Sequence, residues 1–147
     1  MSGEVITVLG TIKTLEANGA AISNLAIGAA DDASYDRMGA DGNGFPDGRF
    51  VLTCAFAVAP LENGVLALYA RELGIDGATD ADVPEATRPG RVIGSFLVND
   101  RTGSQSISLE AYNLPPKASY YLHNVNTGQA VSAGWTLKVQ PLTLKVA

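Results

Sequence analysis

The chain has 147 residues, 46% of them hydrophobic and only 17% charged, with a formal net charge of −5. That length makes one domain of ordinary size, long enough to bury a core without disulfide or metal staples. Its ten Lys and Arg are scattered singly, a poor match for nucleic acid, whose phosphates demand clustered cations, and no run approaches the ~20 apolar residues of a membrane helix.

Residues 5–13 are rich in Val, Ile, Leu and Thr and predict a first strand, with Gly10 a candidate bulge. Glu16-Ala17-Asn18-Gly19 reads as a hairpin turn, because Gly supplies the positive φ of such a corner. Residues 20–27 then form its second strand. Residues 28–49 change character, with five acids and no hydrophobic period, and predict a long loop of the functional kind. Residues 50–59 and 64–73 predict another strand pair across Asn63-Gly64. The second member, V-L-A-L-Y-A-R-E-L, also fits a short amphipathic helix, but the preceding turn and its β neighbours favour strand.

Residues 74–91 form a second acidic loop, punctuated by Pro84 and Pro89, with no apolar face to bury. A strand at 92–98 and a turn at 99–104 follow. Residues 105–112 set Ile107, Leu109 and Ala111 against Ser106, Ser108 and Glu110, the pattern of a half-buried strand. Pro115-Pro116 ends it. Residues 118–125 and 130–139 flank Asn126-Thr127-Gly128-Gln129 as a hairpin, and Pro141 separates off a final strand at 142–146. Nine or so short strands punctuated by Gly, Asn and Pro predict a single all-β domain, residues 1–147. The expected fold is an antiparallel β-sandwich of jelly-roll type, with its two long acidic loops at one end.

Little in the chain points to catalysis. The single histidine, His123, lies inside a strand among aromatics, where a structural hydrogen bond is the expected role. No G-x-S-x-G, H-E-x-x-H or Walker pattern occurs. The single cysteine, Cys54, sits in an apolar strand as a small buried hydrophobe. No basic, then apolar, leader opens the sequence, so a secretory signal is not expected.

Two binding chemistries remain open. Asp41, Asn43 and Asp47 place oxygen ligands in a turn-rich segment suited to calcium, with Asp31, Asp32 and Asp36 nearby. Pro46 and the lack of a closing Glu depart from an EF-hand loop, and Asp-Gly and Asn-Gly also serve as plain turn formers. Tyr112, Tyr120, Tyr121 and Trp135 offer rings for stacking on a sugar. Adjacent Tyr120 and Tyr121 must point to opposite faces of a strand, so at least one is core or interface.

The chain resembles small virion proteins of tailed bacteriophages. The resemblance is carried by G-V-L-A-L-Y-A-R-E-L at 64–73, the Asp/Gly/Pro-rich loop 74–90, G-S-F-L-V at 94–98, Y-Y-L-H-N at 120–124 and S-A-G-W-T-L-K-V at 132–139. Together these span residues 64–139, about half the chain, while residues 1–63 match in character only. The resemblance implies a jelly-roll-like head decoration (cement) or tail-associated protein: a homo-oligomer, typically a trimer, docked on a major capsid or tail protein.

The expectation is therefore a non-enzymatic virion structural protein, made in the host cytoplasm, with no nucleic-acid or membrane partner and no resident cofactor unless calcium. Its interface residues are expected at Leu142, Leu144, Val146, Tyr121 and Trp135, and a terminal arm at 1–7 or 142–147. The alternative is a tail-associated or host-surface β-sandwich that binds carbohydrate or calcium.

Overall fold

The computed structural model describes residues 3–146. Nine strands and no helix form among the described residues: β1 (Val5–Leu9), β2 (Lys13–Gly19), β3 (Ile27–Asp36), β4 (Asp47–Cys54), β5 (Val65–Glu72), β6 (Arg91–Leu97), β7 (Gln105–Ala111), β8 (Lys117–Asn124) and β9 (Trp135–Val146). One sheet has the order β1-β9-β4-β7, with β2 also paired to β9, and the second runs β3-β8-β5-β6. All pairings are antiparallel.

The pairs β2–β9, β3–β8, β4–β7 and β5–β6 nest inside one another. The chain is thus one long hairpin rolled into two sheets, which is the jelly roll. Between the sheets lie Trp135, Tyr35, Tyr120, Phe50, Phe56 and Phe96 with aliphatic residues such as Leu52, Leu68, Leu122 and Leu137. β7 keeps the alternation its sequence predicts, with Gln105 and Ala111 buried, Ile107 and Leu109 half-buried and the Ser and Glu positions exposed. β5 is a strand with near-continuous burial, as its unbroken apolar run requires.

Rolling the hairpin overturns several local expectations. Asn18-Gly19 makes no hairpin corner: both residues lie in β2, and residues 20–26 form no strand, holding a bridge at Ile22 to Val131 and backbone bonds of Leu25 and Ala26 with Asn124 before β3 begins. The run 28–36 is strand rather than loop. It lacks a hydrophobic period because its inward positions use Ala30 and Tyr35 across an irregular register, which leaves Asp31 and Asp32 exposed. β4 and β5 are not partners, nor are β8 and β9; each pair is split between the two sheets. The turn chemistry there is genuine, with Asn63 at φ 62° and Gly128 at φ 77°, but it carries the chain across the sandwich. A local turn signal fixes a corner, not the partner beyond it.

Pro141 does not break the last strand either. The N–H of Gly10 donates to the Pro141 carbonyl at 2.8 Å. In a strand the N and O of one residue face the same edge, so the missing Pro141 N–H faces the gap between β1 and β2. No bond to β4, where Gly48 lies opposite, is lost.

The loops 37–46 and 73–90 leave the sandwich at one end. Arg37 N–H donates to Pro116 O and Leu73 N–H to Lys117 O, both at 2.9 Å, beside the start of β8. β9 runs out at this same end, because Leu142 pairs with Asp47, the first residue of β4.

Candidate interaction surface

Beyond Leu142, β9 has no β4 partner and continues with β1 alone. The register runs Val5↔Val146, Ile6↔Lys145, Thr7↔Leu144, Val8↔Thr143 and Leu9↔Leu142. Opposed residues share a face in an antiparallel pair. One face therefore presents Val5, Val146, Leu144 and Leu9, which are 64, 63, 61 and 47% exposed. The other carries Ile6, at 39%, beside Lys145 and Thr143. Among the described residues no third strand pairs with this ribbon beyond Leu142, and apolar strands with such open edges are a ready template for another chain.

Of the expected interface residues, Leu144 and Val146 lie on this ribbon and Leu142 is buried at its root. Tyr121 is half-buried on the outer face of the second sheet, directly opposite Tyr69. Trp135 is corrected: it is 1% exposed, in the core, and its Nε1–H donates to Ala20 O at 2.7 Å. Tyr120 is equally interior, whereas Tyr112 is exposed. Residues 1, 2 and 147 of the expected terminal arms lie outside the described residues.

The ribbon root packs on the loop proposed for calcium. Leu9, Gly10, Thr11 and Pro141 line a recess with Asp41 and Asn43. Lys13 Nζ lies 3.1 Å from Asp41 Oδ1, and Asp36 N–H donates to Asp41 Oδ2 at 3.0 Å. Burial works against ionisation of Asp41, but the Asp36 amide and the Lys13 ammonium outweigh it and hold its carboxyl below the usual range. Asp47 Oδ1 accepts the Asn113 N–H at 2.9 Å. Asn43, at φ 51°, sits exposed at the corner. Lys13 supplies at Asp41 the positive charge that an ion would bring.

A second acidic group was not anticipated as a unit. Glu16, Asp31 and Asp32 bring carboxylate oxygens within 4.8 Å of one another. The β2 register shifts on either side of Glu16, which turns its side chain into the β2–β3 seam, where it is 3% exposed. Desolvation, then hydrogen bonding with Asp32 and Asp31, pushes the Glu16 carboxyl up. The Ala17 N–H, 2.7 Å from Asp32 Oδ2, draws the Asp32 carboxyl down, helped by Glu16. Strand register brings these acids together, and sequence spacing does not reveal it.

His123 is engaged at both nitrogens. Leu25 O, 3.3 Å from Nε2, can only accept, so Nε2 carries the proton and Nδ1 accepts the Tyr69 hydroxyl at 2.7 Å. Cys54 is buried, and burial pushes its thiol up to about 11.

No protein-family model matches the chain. No curated protein matches it either. Among solved structures, a β-1,3-glucan-binding CBM6 from Bacillus halodurans aligns over 96% of both chains, at 11% identity and a TM-score of 0.44. The chain is, by its own topology, a two-sheet antiparallel β-sandwich.

Proposed function

We propose that this chain is a non-enzymatic structural protein of a tailed-phage particle, an oligomeric head decoration protein seated on the major capsid protein. The observation that carries the assembly half of this reading is the β1–β9 ribbon. Its apolar side chains are exposed on both faces, and among the described residues no further strand pairs with it at positions 143–146. Such an edge in a lone molecule invites aggregation, and pairing with another copy satisfies it. The phage context rests on the sequence resemblance over residues 64–139.

Quantitative mass spectrometry of purified particles, made from a genome that encodes the chain, tests the placement. A head decoration protein occurs in fixed proportion to the major capsid protein and remains with emptied heads. Copies in proportion to tail proteins, or none in the particle, refute the head assignment. In that case a glycan array on the purified chain tests the sugar-binding alternative.

A further inference from the structure

The outer face of the first sheet carries a groove of about 410 Å³, lined by Ile12, Arg49, Val51, Ser108, Lys138 and Gln140. Register builds it: Val51 on β4 has Ser108 on one side and Lys138 on the other, and Arg49 lies beside Gln140. Arg49 Nη2 donates to Gln140 Oε1 at 2.9 Å, which ties the guanidinium to β9. Glu110 stands opposite Arg49 and accepts the Tyr112 hydroxyl at 3.2 Å, so it offsets part of the charge at the Arg49 end, while Lys138 stands beside Val51. The ion pairs among the described residues are Lys13–Asp41, Arg88–Glu85 and Arg91–Glu72, so Arg49 and Lys138 face solvent without a carboxylate partner.

The chain as a whole is acidic, at −5. Loop 73–90 joins β5 to β6 in the other sheet, and there Asp76, Asp80 and Asp82 are exposed. Ile75 and Val83 stand exposed among them, at 58 and 51%. Two cations flanked by Ile12 and Val51 are thus matched, in charge and apolar content, by acids flanked by Ile75 and Val83 on the opposite sheet. In a single copy the two do not meet.

The ribbon is only five residue pairs long, and a stable interface buries about 800 Å² per partner, so a second contact would add area. We propose that the 73–90 loop of one copy docks in the Arg49–Lys138 groove of a second copy, the acids facing the cations and Val83 facing Val51. The contact rests on the assembly reading above. It joins different patches on the two copies, so it closes into a ring or propagates.

Sedimentation equilibrium across a salt series tests this on the full chain. Lys138→Glu, and separately Asp80→Lys with Asp82→Lys, should each weaken association about tenfold and flatten its salt dependence. All three reversals together should restore association to within a few-fold of the parent. Arg49→Gln serves as a milder second probe of the groove, and unchanged circular dichroism verifies folding. If the reversals leave association and its salt slope unchanged while Leu144→Asp dissociates the protein, the docking contact is wrong and the ribbon stands. A parent chain that is monomeric at every concentration overturns both.

Discussion

Gly19→Ala separates a three-dimensional account of this chain from a local one. Gly19 lies in β2, and its φ is not positive, so the backbone accepts a side chain. On that ground alone the substitution should stabilise by ~0.4–1 kcal/mol through the unfolded state. The structure predicts the opposite sign. A Cβ at position 19 would lie 2.1 Å from Trp135 Cε2, 2.3 Å from Nε1 and 2.4 Å from Cδ2. The indole must move, yet it is 1% exposed and its N–H is bound to Ala20 O. Overpacking costs ~1–3 kcal/mol, and losing the partner of a buried donor costs ~1–3 more. Set against the ~0.4–1 kcal/mol gain, the expected net loss is about 3 kcal/mol, a large share of the ~5–15 kcal/mol that holds such a domain. At ~2–4 °C per kcal/mol the melting temperature falls by roughly 6–12 °C. Trp135 is the chain's single tryptophan, so urea unfolding followed by its fluorescence reads both stability and ring environment. A loss below ~1 kcal/mol with an unshifted emission maximum would refute the packing assigned to Trp135.

Further outcomes follow from buried polar groups. Glu16→Gln should stabilise the protein at pH 7: a carboxyl with a raised folded pKa contributes stability below its unfolded pKa and loses it as pH rises through the folded one. The Gln advantage therefore shrinks in thermal melts as pH is lowered towards 4, and an advantage that grows instead contradicts the burial of Glu16. Thr127 Oγ1 donates at 2.5 Å to Asn124 Oδ1, and Asn124 Nδ2 reaches Gln129 O and Ile22 O, at 2.7 and 3.3 Å. Thr127→Val should cost ~1–3 kcal/mol by leaving Asn124 Oδ1 without its donor while the Asn124 Nδ2 bonds remain, measurable in urea. Cys54 should resist a thiol reagent at pH 8 in the native state and react at once in urea; fast native labelling would contradict its place in the core. EDTA should leave the melting temperature unchanged, since Lys13 already neutralises Asp41, and a fall on chelation would put an ion at that loop or at the Glu16–Asp31–Asp32 group.

The fold class was legible because strand length, alternation and turn residues are local properties. β5, β7 and β8 lie close to the ranges their patterns predict. Partnering was not legible, because Asn63-Gly64 and Asn126-Thr127-Gly128 look the same whether the chain returns to its neighbour or crosses to the other sheet. The strand at 27–36 carries little signal in the sequence because Gly28, Ala29 and Ala33 have no apolar bulk, and pairing with β8 orders it. Pro141 reads as a stop unless the gap between β1 and β2 is known. The ribbon was foreshadowed by Leu142, Leu144 and Val146, but not its second strand, Val5–Leu9, whose register with β9 spans nearly the whole chain. The Glu16–Asp31–Asp32 group and the Arg49–Lys138 groove exist only through strand register and had no signal in spacing.

The proposed function stands or falls with the β1–β9 ribbon as an assembly surface. Light scattering of the full chain beside Leu144→Asp tests it most directly, since that side chain is exposed and its replacement spares the core. A discrete oligomer is expected for the parent, and a folded monomer with an unchanged melting temperature, or one that falls only with dissociation, for the variant. A parent that stays monomeric at high concentration, or a variant with the parent's oligomeric mass, would contradict it.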